Sequence, residues 1–114
     1  MAVVRPLADM RVSPTAALFE GRKQADIELS FFVTSTPRGG GPGLHVHPYA
    51  EAFLVQEGTA TFTAGDEEFV VTAGHVVVVP PETPHRYENR EEGTLRQVSI
   101  HPSGEVQQTF LETD

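Results

Sequence analysis

Glycine and proline interrupt this 114-residue chain along its whole length. The ten glycines and nine prolines leave only short segments between them. No dozen consecutive residues place apolar side chains at the three- and four-residue spacing of a helix face without an interrupting Gly or Pro. The short segments are rich in Val, Thr and Phe, which favour strands. The sequence therefore predicts an all-β protein, built as an antiparallel sandwich or a barrel.

The strand signals are spaced regularly along the chain. Residues 59–64 alternate apolar and polar side chains, a Gly65-Asp66 turn follows, and residues 68–72 return, which predicts a hairpin. Further strands are predicted at residues 27–33, 75–79, 86–89 and 94–101. Residues 15–20 fit either a helical turn or a strand that runs into a turn.

The remaining segments are predicted to be irregular. Residues 37–43 contain four glycines and residues 80–84 contain three prolines, so neither segment pairs well in a sheet. Residues 105–114 form a polar tail, and residues 1–25 an N-terminal arm that can supply a strand. A chain of this length is expected to make one domain over residues 1–114.

Composition excludes several functional classes. With no cysteine, the chain has no disulfides, thiolate zinc sites or cysteine nucleophiles. A formal net charge of −8 repels nucleic-acid phosphates. The longest apolar run is far shorter than the ~20 residues that cross a bilayer, and residues 1–10 lack the apolar core of a signal peptide. We therefore expect a cytoplasmic protein without nucleic-acid or membrane partners.

The histidines are the strongest indication of a functional site in this sequence. His45 and His47 lie on one face of a strand because side chains alternate, and Glu51 shares that face if the strand continues past Pro48. Together with His85, these residues offer three imidazoles and one carboxylate, a donor set suited to a divalent transition metal. For the two other histidines, His75 and His101, we expect only surface or hydrogen-bonded positions.

The spacing of these residues resembles that of a known family. The segment G-x5-H-x-H-x3-E-x6-G, from Gly39 to Gly58, resembles the first motif of the cupin superfamily. Gly74, Pro80, His85 and Asn89 resemble the second motif, so the motif core of the domain covers residues 39–89. The sequence departs from the family pattern at Glu82, where the second motif normally has glycine. Either Glu82 adopts a strained backbone conformation or the turn differs locally.

The resemblance implies a fold and a metal site. The fold would be a double-stranded β-helix, or jelly-roll barrel. The metal ligands would be His45, His47, Glu51 and His85. The ion would be one divalent transition metal (Fe, Mn, Ni, Co or Zn), whose identity the sequence leaves open. Four protein ligands leave two positions open on an octahedral ion, whereas they would close a tetrahedral zinc site.

Other side chains are candidates for catalysis. Glu51 is a candidate base if it leaves the ion. Tyr87 is two residues after His85 and so lies on the same face of the strand. It is expected to face inward, where its hydroxyl can orient a bound oxygen donor. Tyr49 lies between two ligands and is expected either to lean over the metal or to pack at the rim.

Substrate contacts are predicted on the same strands and in the adjoining loop. Phe53 and Val55 continue the face of Glu51 and are expected to line an apolar pocket. Arg38, in the glycine-rich loop, is a candidate clamp for an anionic substrate. In the strand at residues 94–101, side chains alternate between two faces, and one face is expected to line the cavity. That face carries either Arg96 or Gln97 and Ser99.

Three functions remain open at this point. The first is a metal-dependent enzyme acting on a small organic molecule, with Fe(II)- or Mn(II)-type dioxygenation preferred over isomerisation or cyclisation. The second is a module that binds or senses a small ligand without catalysis, and the third is a domain that the metal only braces. We also expect a homodimer, since Val76–Val79 is apolar on both faces and needs cover from residues 1–25 or from a second copy.

Overall fold

The computed structural model describes residues 1–111 and confirms the all-β prediction. A 3₁₀ turn spans Leu7–Met10, and one short helix, α1, spans Gly21–Gln24. The strands are β1 Arg11–Ser13, β2 Ala16–Glu20, β3 Ser30–Thr36, β4 His45–Val46, β5 Glu51–Glu57, β6 Thr59–Ala64, β7 Glu67–Thr72, β8 His75–Val79, β9 His85–Glu88, β10 Leu95–His101 and β11 Thr109–Phe110. None of the helices in this part of the chain is long and apolar enough to span a membrane.

The strands form two antiparallel sheets packed face to face. The six-stranded sheet has the order β1-β2-β3-β10-β5-β8, and the five-stranded sheet has the order β11-β4-β9-β6-β7. Neighbours in the sheets are distant in sequence, as when β10 lies between β3 and β5. This is the expected jelly-roll architecture.

The apolar core lies between the two sheets and adjoins the histidines. Phe53 on β5 and Phe62 on β6 meet across the interior with ring centroids 5.0 Å apart. Val55 and Leu95 are completely buried beside them, and burying a side chain of this size contributes ~1.5–3 kcal/mol. The ring of Phe53 also lies 6.1 Å from that of His85, so the core supports one side of the histidine cluster.

The predicted hairpin is present. β6 has the predicted bounds, and Ala64 pairs with Glu67 across a two-residue turn. Gly65 adopts φ +59° in this turn, a left-handed conformation that glycine takes without steric cost. The strand predicted at residues 75–79 also has the predicted bounds.

The structure decides two predictions about the N-terminal region: the form of residues 15–20 and the start of the next strand. A compact turn after β2 explains the second. Residues 15–20 form a strand that runs into a turn, not a helical turn. The next strand begins at Ser30 and not at residue 27. The Ile27 N–H donates to the Gly21 carbonyl at 3.1 Å, and Asp26 has φ +55°. These two features keep residues 21–27 folded back, which delays the strand.

The polar tail is more structured than its composition indicated. Thr109 and Phe110 form β11, which pairs with β4 so that Phe110 lies opposite His45. The tail therefore adds a strand beside the first histidine of the motif. Residues 112–114 of the predicted tail lie outside the described residues.

The strand carrying the first motif does not continue past Pro48. β4 belongs to the five-stranded sheet and β5 to the six-stranded sheet, so the chain changes sheets between His47 and Glu51. Proline has no N–H to donate to a ladder, which favours a break there. Glu51 consequently approaches the histidines from the facing sheet and not from the same strand.

Glu82 adopts a strained, left-handed backbone conformation in the turn between β8 and β9. Its φ is +61°, and its N–H donates to the His47 carbonyl at 2.9 Å. A non-glycine residue in this region costs ~1–2 kcal/mol. Of the two alternatives for this position, the strained one is therefore correct.

Candidate metal centre

Four side chains from four positions in the chain converge between the sheets. His45 on β4 pairs directly with His85 on β9, His47 follows β4, and Glu51 begins β5. One nitrogen or oxygen atom from each residue lies within 4.8 Å of those from the other three. All four residues are buried, so the cluster is enclosed by protein and not spread over the surface.

The three imidazoles share one hydrogen-bonding arrangement. Each Nδ1 donates to a backbone carbonyl: His45 to Gly43 at 2.8 Å, His47 to Gln107 at 2.9 Å and His85 to Thr83 at 2.8 Å. A carbonyl can only accept, so Nδ1 carries the proton in each ring. The Nε2 atoms therefore keep their lone pairs for a ligand, an arrangement typical of metal-binding histidines.

The contacts of Glu51 test whether a cation fits this site. Its Oε1 lies 2.7 Å from His47 Nε2 and 2.9 Å from His85 Nε2. A lone pair and a carboxylate oxygen repel each other at such distances, so a positive charge is required there. Either the imidazoles carry a second proton, or a divalent ion takes the place of those protons. The donor set thus fits a divalent transition metal.

The charges of the cluster are mutually dependent. Burial alone would raise the pKa of Glu51, but the neighbouring imidazoles of His101, His47 and His85 outweigh it and hold that pKa far below its usual range. Burial lowers the pKa of His45 to about 4. Burial also opposes the charged form of His47, yet its bonds to Glu51 and to the Gln107 carbonyl leave its pKa raised. Glu51 is therefore held as a carboxylate and His45 as a neutral ring.

A fourth histidine joins the cluster, although sequence reasoning assigned it no role there. His101 is 1% exposed, and its Nε2 lies 3.2 Å from Glu51 Oε2. That contact lacks hydrogen-bond alignment, and no other described residue bonds this nitrogen. Its Nδ1 lies 2.7 Å from the Tyr49 hydroxyl, which also accepts the Gln107 N–H at 3.1 Å. Tyr49 therefore orients His101.

The alternation of buried and exposed side chains along β10 identifies His101 as an interior residue. Leu95, Gln97, Ser99 and His101 are buried, whereas Arg96 is exposed. The alternating set with Gln97 and Ser99 is thus the inward one. Both side-chain amide atoms of Gln97 are buried without a hydrogen-bond partner in the described part of the chain, so the inward face of β10 keeps unused polar groups.

A cavity of about 440 Å³ opens beside the cluster. Its wall includes His45, Glu51 and His101, so a molecule inside it lies next to the candidate ligands. The rest of the lining is Thr15, Ala16, Phe32, Thr34, Thr36, Pro37, Gly40, Gly41, Pro42, Phe53, Tyr87, Ser99, Gln108 and Phe110. The volume is within the range of sites that bind small organic ligands.

Only some of the predicted substrate-binding and catalytic residues line this cavity. Phe53 and Tyr87 line it, as expected from their parity. Val55 is completely buried in the core and does not line it. Arg38 is exposed, with its Nη1 3.8 Å from Glu92 Oε1, and is not part of the lining. Tyr49 stacks on His47, with ring centroids 5.2 Å apart.

Two other features lie away from the cluster. His75 is exposed, and its Nδ1 donates to the Thr72 carbonyl at 3.0 Å, which matches its expected surface position. A larger cleft of about 960 Å³ lies between β7 and β8, lined by residues such as Phe69, Val70 and Val76. It contains none of the four candidate ligands.

Comparison with known sequences places the site inside a recognised domain. A family profile described as a cupin domain matches residues 31–101, a range that includes all four candidate ligands. An uncharacterized protein of Methanocaldococcus jannaschii is 33% identical over 73 residues, which cover 63% of this chain and 54% of that protein. The chain thus spans about half the length of this curated relative.

Comparison with solved structures supports the same architecture. An oxalate oxidase superposes with a TM-score of 0.73 at 19% identity, covering 88% of this chain and 57% of that chain. A mutant of Bacillus subtilis oxalate decarboxylase superposes with a TM-score of 0.81 at 20% identity, covering 92% of this chain and 31% of that chain. Another structure of that decarboxylase, described for its Mn(II) centres, gives 0.82. At these identities the likeness shows the fold alone.

Proposed function

Because this chain belongs to the cupin family, we propose that it is a metal-dependent enzyme acting on a small organic molecule, with dioxygenation as its reaction. One observation carries the proposal. Three imidazoles anchored by backbone carbonyls and one carboxylate converge at the wall of a cavity of about 440 Å³. A purely structural metal site would not need to adjoin such a cavity.

We propose His45, His47, Glu51 and His85 as the ligands of one divalent ion, Fe(II) or Mn(II) for this reaction. Four protein donors leave two positions on an octahedral ion for small molecules. When bound, such an ion supplies Lewis acidity and a redox centre for O₂. The Mn(II) centres described for a structurally similar oxalate decarboxylase support a divalent metal of this kind.

The residues around the ligands have separate roles in this proposal. Phe53 supplies an apolar wall, and Tyr87 offers its hydroxyl to an oxygen atom of the substrate. Tyr49 acts through His101 and not on the substrate. Glu51 is assigned first as a ligand, because its Oε1 lies 2.7 Å from His47 Nε2 and 2.9 Å from His85 Nε2.

Oxygen uptake tests the proposed reaction. A dioxygenase transfers both atoms of O₂ to its substrate and needs no external reductant, so O₂ and substrate disappear in equal amounts. We expect substrate-dependent uptake over a panel of phenols and diketones, using untagged protein reconstituted anaerobically with Fe(II) or Mn(II). The His47→Ala variant, which lacks one ligand, serves as the inactive control. Tightly bound metal with no uptake would contradict dioxygenation and favour isomerisation, cyclisation or ligand sensing.

The outer face of the six-stranded sheet supports a homodimer. Two apolar rows cross four of its strands: Val33, Val98, Leu54 and Val76 in one, and Phe31, Ile100, Ala52 and Val78 in the other. Val76 and Val78 are 64% and 63% exposed, so residues 1–25 do not cover them. A second copy of the chain presents the same apolar face and can bury both rows.

Light scattering at micromolar concentration tests the dimer. We expect twice the chain mass for the wild type and a single chain mass for Val78→Lys. Val70→Lys is the matched control, because Val70 is 65% exposed but lies on the other sheet. A monomeric wild type would contradict the dimer. We also propose a cytoplasmic location, where reducing conditions keep iron as Fe(II); cell fractionation tests it.

A further inference from the structure

The wall of the cavity contains aromatic rings and hydroxyls but, among the described residues, no lysine or arginine. Phe32, Phe53, Tyr87 and Phe110 supply the rings. Thr34, Thr36 and Ser99 add hydroxyls. The cavity of about 440 Å³ has room for a substituted ring, since a cavity of roughly 150 Å³ already holds benzene.

None of the eight basic residues of the chain lines this cavity. Arg38 lies outside the wall beside Glu92. Arg96 is on the outward side of β10, with its Nε 3.4 Å from Glu57 Oε2. The others are Arg5, Arg11, Arg22, Lys23, Arg86 and Arg90. Among residues 1–111, no Lys or Arg side chain offers positive charge inside this cavity, so that charge would have to come from the metal centre.

The charge of that centre limits the ligand. Three neutral imidazoles, one carboxylate and a divalent ion leave one net positive charge. One phenolate or similar donor neutralises this charge. A small dicarboxylate would bring a second negative charge into a cavity whose lining has no Lys or Arg to pair with it, and an unpaired buried charge is costly.

His101 adds one directed polar group to the wall. The Tyr49 hydroxyl accepts from the Gln107 N–H and lies 2.7 Å from His101 Nδ1. When that hydroxyl donates to Nδ1, the proton of His101 is on Nε2. This nitrogen is buried, without a hydrogen-bond partner among residues 1–111, and belongs to a residue that lines the cavity. Glu51 Oε2 lies 3.2 Å away but out of hydrogen-bond alignment, so the N–H can still donate to an oxygen of the bound molecule.

We propose that the cavity selects a single-ring aromatic compound with one ionisable oxygen donor and discriminates against small dicarboxylates such as oxalate. The proposal rests on the proposed function, because the donor oxygen is neutralised by the metal centre. It separates this chain from the oxalate enzymes whose fold it shares. Phe110, 59% exposed with its ring 5.5 Å from that of His45, would close over the ring of the ligand at the mouth.

The test uses the full chain loaded with Co(II), titrated by calorimetry with para-cresol and, separately, with oxalate. Metal content is measured before and after each titration, so stripping of the ion by oxalate is recognised. We expect para-cresol to bind at least tenfold more tightly than oxalate. Tighter or equal binding of oxalate, or no binding of para-cresol to the loaded protein, would overturn the proposal. Failure to load metal would overturn the proposed function itself.

Two variants locate the selectivity in the cavity wall. Phe110→Ala should weaken para-cresol binding about tenfold while metal content stays unchanged. Phe19→Ala is the control, because Phe19 stacks on Phe31, with ring centroids 4.9 Å apart, away from the cavity lining. Thr34→Lys places a cation in the wall and should raise oxalate affinity. Unchanged para-cresol binding in Phe110→Ala would contradict the assigned place of the ring.

Discussion

His47 donates its Nδ1 proton to the backbone carbonyl of Gln107, 2.9 Å away and 60 residues further along the chain. His45 and His85 use carbonyls only two residues before themselves. The orientation of His47 therefore depends on docking of the C-terminal segment. Tyr49 reinforces this docking, because its hydroxyl accepts the Gln107 N–H at 3.1 Å.

Tyr49→Phe should weaken metal binding while leaving the fold intact. The ring that stacks on His47 remains, but the hydroxyl that joins Gln107 to His101 is lost. Changes to groups that orient metal ligands typically cost 10–100-fold in affinity, and we expect a loss in that range by metal titration. Tyr87→Phe makes the same chemical change in the cavity wall and should leave metal affinity unchanged. Equal affinities of wild type and Tyr49→Phe would contradict the orienting role.

His47→Ala should lose at least about 100-fold in metal affinity, since it removes a proposed ligand and not only a group that orients one. Elemental analysis after dialysis against a weak chelator measures the loss. His75→Ala is the matched control, because His75 is exposed and lines the cleft between β7 and β8, which contains none of the candidate ligands. Full metal content in His47→Ala would mean that the site is assigned to the wrong residues.

The metal-free protein should be most stable near pH 6.5. The pKa of His45 is lowered to about 4 from 6.5 by burial, so the unfolded state binds more protons between these values and stability rises with pH there. The pKa of Glu51 is also lowered, and its contribution is lost as pH falls below 4.5. The pKa of His47 is raised, so its contribution is present below 6.5 and is lost as pH rises through the raised value.

Thermal unfolding of chelator-treated protein checks this profile. Its midpoint should fall when the pH rises from 6.5 toward 9. The metal-loaded protein should show no such fall, because the ion then replaces the proton on His47. A midpoint of the chelated protein that keeps rising through this range would contradict the assigned charge states.

Glu82→Gly should stabilise the protein by about 1 kcal/mol. Relief of the left-handed strain at Glu82 is partly offset by the greater freedom of glycine in the unfolded chain. Denaturant unfolding measures the difference. Glu91→Gly is the control, since Glu91 is exposed with an ordinary backbone conformation, and it should be neutral or destabilising. A destabilised Glu82→Gly would show that the turn depends on the glutamate itself.

Local signals in the sequence predicted much of the fold. The Gly65-Asp66 turn and the alternation beside it predicted the hairpin, because a two-residue turn sets the register of its own strands. The histidine and glutamate spacing predicted which four side chains meet. Its assumed geometry was only partly right, since the chain breaks at Pro48 and Glu51 arrives from the facing sheet.

Long-range contacts account for what the sequence could not predict. The inward face of β10 depends on its register with β3 and β5, and that register decides that His101 and not Arg96 faces the site. The tail was assigned only as polar, yet β11 pairs with β4, some sixty residues earlier in the chain. Such pairings depend on the whole barrel, and no short segment encodes them.

We propose that His45, His47, Glu51 and His85 hold one divalent ion per chain beside the cavity. Elemental analysis of untagged protein after anaerobic reconstitution with Fe(II) or Mn(II) tests it most directly, with the His47→Ala variant prepared in parallel. We expect about one ion per chain for the wild type and a near-complete loss in the variant. A wild type that retains no metal under any condition, or a variant that retains as much as the wild type, would contradict it.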